Sequence, residues 1–328
     1  MNRALLLLRR RLVGSVFVLA LVIVGTFLLL EAAPGDAVDA YIASTGGDAG
    51  MVETLRQSWG LDQSALTRLA SYVWALAHFD LGRSVAFSRP ILDVILERLP
   101  NTLLLMGSAT ALSFALGSLL GIVAGARPGS FRDRLLSIGS LALYAVPSFW
   151  FGLVLIVVFA VDLRWLPVGG IETIASGRTG LSRAADIAVH LVLPVTALGL
   201  IYLALYLRMM RAGMAEIWRL DFILAARARG LPRQRIVLAH VARNALLPLV
   251  TMLGLQSAQM LGGSVVIESV FAVPGLGRLA QEAVSARDTP LLMGIILTSA
   301  VLVVLINLAV DIAYAFLDPR VGASEAAA

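Results

Sequence analysis

The side chains that most often carry enzyme chemistry are scarce in this sequence, and their spacing assembles no catalytic site. All 26 basic residues are arginine. There is therefore no lysine to hold a nucleotide phosphate in a P-loop or to form a Schiff base. Cysteine is absent too, which removes disulfides, thiolate nucleophiles and thiolate metal ligands together. His78, His190 and His240 stand far apart and no HExxH pattern occurs. A lone histidine near a helix end reads as structural, because a metal site needs three or four converging ligands. An intramembrane enzyme thus lacks its nucleophile and base. An ion-driven transporter would want paired intramembrane acids, and only Asp311 lies well within an apolar run. Hydrogen bonding and shape are what remain.

The elements that must position these groups are membrane spans. The chain has 328 residues, 59% hydrophobic and 14% charged, well beyond the apolar share of a soluble domain. Six runs reach the roughly 20 apolar residues that a spanning helix needs: 12–30, 102–126, 135–161, 188–207, 245–270 and 291–317. The first follows Arg9-Arg10-Arg11 and is longer than the ~7–15-residue core of a signal peptide, so it is expected to stay as an anchor. With the N-terminus inside, segments 1–11, 127–134, 208–244 and 318–328 are cytoplasmic and hold sixteen arginines against five acids. The outer segments hold ten arginines and fifteen acids. This is the positive-inside pattern, with both termini cytoplasmic. The net charge of +5 therefore follows membrane side and implies no nucleic-acid partner. The expected fold is all-α and polytopic, with six transmembrane helices and a helical external segment, 31–101, between the first span and the 102–317 core.

Within that frame, Met51–Trp59 and Ala65–Phe79 are predicted as short amphipathic helices on the outer face, with Trp59 and Trp74 as interfacial anchors. Gly117, Gly121 and Gly125 recur every four residues, a spacing that lets helices approach closely in lipid. Pro147 is predicted to kink the third span. Gln256, Gln259 and Glu268 make the fifth span the most polar. They read equally as pathway lining and as hydrogen-bonded attachment to neighbouring helices. Gly262-Gly263 is expected to loosen that span, the run 271–277 to turn, and Asp311 to be satisfied structurally.

The longest basic stretch is the connector 208–244. Asp221 is predicted to cap a helix ended by a left-handed Gly230, with Pro232 opening the next one. Ala225, Ala226 and Ala228 give this helix a slim face flanked by Arg227 and Arg229, suited to insertion into a partner's groove.

The alanine pair, Gly230 and the following Leu246-Leu247-Pro248 resemble the signature connector of ABC-importer permeases. The whole run 221–251 is similar to that of permease subunits of the dipeptide, oligopeptide and nickel importers. Colinear matches include Pro34-Gly35-Asp36, Gly60-Leu61-Asp62, Asp80-Leu81-Gly82-Arg83-Ser84, Pro147, Glu268 with Pro274-Gly275-Leu276-Gly277, Asn307 with Asp311, and Asp318-Pro319-Arg320. The resemblance implies a type I ABC-importer permease fold in the bacterial cytoplasmic (inner) membrane. It also implies a heterodimer with a second, homologous permease, two ATPase subunits on the cytoplasmic side and an external solute-binding protein. The ATPases would hold ATP and magnesium; this chain would bind no cofactor and catalyse nothing. Asp221, Ala225, Ala226, Arg227, Arg229, Gly230 and Leu231 would then form the coupling helix seated in the ATPase. Peptides are the default cargo, with nickel, its chelates and opines left open. Leu224 stands where many ABC permeases carry a glutamate. Docking is therefore expected to rest on helix shape around Ala225, Ala226 and Gly230.

Overall fold

The computed structural model describes residues 2–32, 38 and 63–317, with side chains over 13–32, 38, 63–310 and 312. The predicted helix at Met51–Trp59, the motifs at Pro34–Asp36 and Gly60–Asp62, the Asp311 side chain and the tail 318–328 lie outside the described residues. Among those described, the only extended pairing is an isolated bridge between Arg83 and Pro90; the rest of the regular structure is helical.

The chain divides into two compact units. The first comprises residues 1–100 and 274–304. Its α1 (Asn2–Glu31) exposes Val16, Phe17, Leu21 and Leu28, side chains at home in lipid. Helix α2 (Ala65–Ala77) starts where the Ser64 hydroxyl accepts from the Thr67 amide and buries none of its residues, as an interfacial helix should. Arg68 pairs with Glu31 at the end of α1. Beyond α2, the Asp80 carboxylate accepts from the Gly82 amide at 2.8 Å. Ser84 donates to the buried Asp288 at 2.6 Å. Asp288 also accepts from the amides of Ala86 and Leu291. That is the physical content of the Asp80–Ser84 motif. It fastens the 80–84 turn to the start of α10 (Thr289–Leu317). Around it, Ile91, Val94 and Ile95 of α3 (Ile91–Gly125) pack on α9 (Leu276–Ser285). The run 271–277 does turn, but it leads into α9, whose buried Leu276, Leu279 and Ala283 repeat too briefly to mark a span in the sequence.

The second unit comprises residues 101–273 and 305–328. Its central element is α6 (Gly180–Ile217), which packs against α4 (Phe131–Ala145), α5 (Ser148–Asp162) and α8 (Arg233–Val270). The four-residue glycine spacing lies on the α3–α6 seam. A Cβ at Gly117, Gly121 or Gly125 would come within 2.8 Å or less of Tyr206, Met210 or Met214 respectively. Pro147 does more than kink the third span: α4 and α5 are bent by 98°. Both Val146 and Pro147 are extended, the geometry a proline ring favours in the residue before it. Helices also run past their apolar runs, since backbone hydrogen bonding does not stop at the membrane surface. Thus α6 continues to Ile217 and α8 begins at Arg233. Each of α5 and α8 includes one π-helical segment, Ile156–Asp162 and Ile236–Ala242. Helices α1, α3, α6, α8 and α10 are long and apolar enough to cross a membrane, and the bent α4–α5 pair makes a sixth span when counted as one.

Candidate functional site

The connector between the fourth and fifth spans contains α7 (Asp221–Ala228). Leu220 occupies the N-cap and no side chain caps the helix, so Asp221 is a first-turn residue rather than the cap the sequence suggested. Its carboxylate still favours the positive end of the helix dipole. The far end closes as predicted. Gly230 has φ +71°; its amide donates to Arg227 O at 2.9 Å and the Leu231 amide to Ala226 O at 3.3 Å. These are the two bonds of a Schellman stop.

The phase of α7 corrects the expected alanine face. Ile223 and Ala226 are buried, packed with Met210 and Met214 of α6 and with Ile236, Val237 and Val241 of α8. Leu224, Ala225 and Ala228 point away, Leu224 being 59% exposed. Ala226 thus belongs to the mounting of the helix. Leu224, which replaces the usual glutamate, sits on the outward ridge. Arg227, Arg229 and Gly230 are exposed and Leu231 is half-buried.

Two fixings went unnoticed in the sequence. The half-buried Trp218 donates its indole N–H to Gly125 O at 2.8 Å. The guanidinium carbons of Arg227 and Arg233 lie 5.1 and 5.9 Å from its ring. Arg233 also donates to Ala126 O. The second fixing is Asp133, 1% exposed, which takes both donors of Arg211 and the Gly129 amide at 2.8 Å. It joins the α3–α4 turn to α6, one stretch before α7. Replacing Asp133 with asparagine is expected to lower stability by about 2 kcal/mol, less than the ~3–5 kcal/mol of a fully buried pair because Arg211 is part-exposed. A double-mutant cycle with Arg211→Ala, read by thermal unfolding in detergent, measures the coupling.

The polar groups of the fifth span separate. Glu268 is fully enclosed and accepts from Thr102 of α3 at 2.8 Å. Gln256 is buried and Gln259 exposed, and neither side chain has a hydrogen-bond partner among the described residues. Helix α8 continues unbroken through Gly262 and Gly263. His190 is buried and its Nδ1 contacts Asp186 O at 2.8 Å, a structural placement. Before α6, a cavity of about 320 Å³ is lined by Glu172, Thr173, Arg178 and Arg183 among others. Its charges are spoken for: Arg183 chelates Glu172 and Arg178 pairs with Asp186. The Arg183 guanidinium holds the Glu172 carboxyl below its usual range. Tyr206 is fully buried with no partner for its hydroxyl among the described residues and stands edge-on to Phe114 at 5.5 Å. Tyr206→Phe is expected to raise stability by about 1 kcal/mol, since an unmet buried hydroxyl carries a desolvation cost. Thermal unfolding in detergent checks the sign.

Fold and site together define a helical, polytopic membrane protein whose short helix α7 is packed against α6 and α8. The pattern of the binding-protein-dependent transport system inner membrane components matches residues 117–323, and the chain belongs to that family of inner-membrane permease subunits. The oligopeptide transport system permease protein AppB of Bacillus subtilis is 36% identical over 313 residues, covering 95% of this chain and 98% of the relative. The di/tripeptide transport system permease protein DppB of Pseudomonas aeruginosa is 36% identical, covering 90% and 92%. A chain of the inward-facing MetNI methionine ABC transporter superposes with a TM-score of 0.56 at 18% identity, covering 69% of this chain and 97% of the other. That likeness is one of fold, the type I importer permease.

Proposed function

We propose that this chain is one of two homologous permease subunits of an ATP-driven peptide importer, with 221–231 as the element that receives the ATPase stroke. Two ATPase subunits would supply ATP and magnesium binding, and an external binding protein would deliver the peptide. The observation that carries the reading is the two-sided build of α7. One side is locked to α6 and α8 through Ile223 and Ala226, and the other presents Leu224, Ala225 and Ala228. A helix mounted this way transmits a push instead of absorbing it. ATPase closure would then shift the population between inward-open and outward-open packings of the spans. The peptide names of the full-length relatives support the cargo.

The test is uptake by proteoliposomes holding the assembled transporter, its binding protein outside and ATP inside. Accumulation of a labelled peptide is expected only with hydrolysable ATP and both ATPase subunits. Uptake driven by an ion gradient through this chain alone would overturn the reading.

A further inference from the structure

The exposed ridge of α8 is unlike a lipid-facing surface. It runs through Thr251, Leu255, Gln259, Gly262 and Val266, spaced three and four residues apart so that they lie in one row. The Gln259 amide stands open at mid-span, and Gln256 on the flank of the ridge has no partner either among the described residues. Between them on this side of the helix is Gly263, one turn from Gln259 and two from Gln256. The Tyr202 hydroxyl of α6 lies 3.6 Å from the place a Cβ would take at Gly263. Tyr202 is half-buried and likewise has no hydrogen-bond partner among the described residues. Two amides and a hydroxyl from neighbouring helices therefore lie along one strip. Hydrocarbon cannot satisfy them, and no described residue does.

We propose that Gln256, Gln259 and the Tyr202 hydroxyl form a neutral hydrogen-bonding station in the translocation path that takes the amide groups of the passing solute. This deepens the importer reading and rests on it. The station carries no charge. It engages what all peptides share, the backbone N–H and C=O, and is indifferent to the charge of their side chains. Glutamine and tyrosine each offer both donor and acceptor capacity, which suits an amide that presents one of each.

The absence of cysteine makes the test direct. Gln259→Cys and Gly262→Cys each introduce a single thiol, with Leu21→Cys on the apolar face of α1 as the control. Each is assembled with all partner subunits in proteoliposomes and exposed to a membrane-impermeant maleimide. Maleimide reacts with the thiolate, which needs water, so positions 259 and 262 are expected to label about tenfold faster than 21 in at least one nucleotide state. The neutral dipeptide Ala-Ala, delivered by the binding protein, is expected to slow that labelling. Tyr202→Phe and Gln259→Leu are expected to raise the KM for Ala-Ala uptake several-fold while the second permease still co-purifies. Labelling as slow as at 21 in both nucleotide states would overturn the station. So would loss of the second permease from Gln259→Leu, which would assign the amide to a subunit contact. Failure of the wild type to take up any peptide would instead strike the importer reading, and the labelling pattern would still decide whether the strip is wet.

Discussion

Arginine in place of Ala225 is expected to abolish ATPase association while leaving this chain folded, whereas arginine in place of Ala226 is expected to prevent α7 from packing on α6 and α8. The two alanines are adjacent in sequence and opposite in role. Ala225 is exposed beside Leu224 and Ala228. A long charged side chain there is harmless to the free chain but must be desolvated in a closely fitting groove. Leaving one charge unpaired at such an interface costs on the order of 3 kcal/mol, or about a hundredfold in affinity. Ala226 is 5% exposed among the apolar side chains of Ile223, Val237 and Met214. Burying an unpaired charge costs more than the mounting of one short helix can return, since a fully buried Ile223 contributes about 2 kcal/mol. Pull-down of the ATPase on immobilised permease reads the first variant, and gel filtration of the permease in detergent reads the second. An Ala225→Arg variant that keeps its ATPase would sink the docking assignment; an Ala226→Arg variant that elutes and unfolds like wild type would sink the mounting.

This contrast also shows where sequence reasoning runs out. The existence of α7, its left-handed stop and its basic flanks were legible, because Gly230 and Pro232 act locally, although Asp221 is not the expected cap. Its phase was not. Which of two neighbouring alanines faces inward depends on where α6 and the π-helical turn of α8 stand, and that is tertiary. Trp218 and Asp133 escaped for the same reason. An indole reaching back to Gly125 O and a carboxylate reaching forward to Arg211 join positions 93 and 78 residues apart. Nothing in their immediate neighbours announces either contact. At Pro147 the rule was right and its magnitude was not. A proline removes one backbone bond, but with the preceding residue also extended the span turns through 98°. In the fifth span, polarity was visible and accessibility was not. Glu268 is enclosed against Thr102 while Gln259 stands open, although both read alike as polar residues in an apolar run.

The glycine row is the feature whose sequence signature and structural role coincide most closely, and it yields the largest expected effect on the fold. Gly121→Leu is expected to leave no folded permease, and Gly121→Ala alone to cost roughly 3 kcal/mol or more, above the ~1–3 kcal/mol usual for overpacking. A Cβ at position 121 would lie 2.5 Å from Met210 Cβ and 2.8 Å from Leu207 O. The methionine could swing its side chain, but its Cβ and the carbonyl are fixed to the backbone of α6, so relief requires the helices to part. Gly117 meets the Leu203 carbonyl at 2.8 Å and Gly125 meets Met214 Cβ at 2.8 Å. Parting the seam at 121 therefore loosens contacts a turn away on both sides. The damage should reach α7, because Met210 and Met214 belong to the cluster that holds its Ile223 and Ala226. Gly139→Ala is the matched control, since a Cβ there meets nothing within 4 Å and alanine in a helix is favoured over glycine by about 1 kcal/mol. Yield and thermal unfolding in detergent compare the two. A Gly121→Ala variant as stable as Gly139→Ala would mean that α3 and α6 do not meet along this row. The mounting of the docking helix would then have to be sought elsewhere.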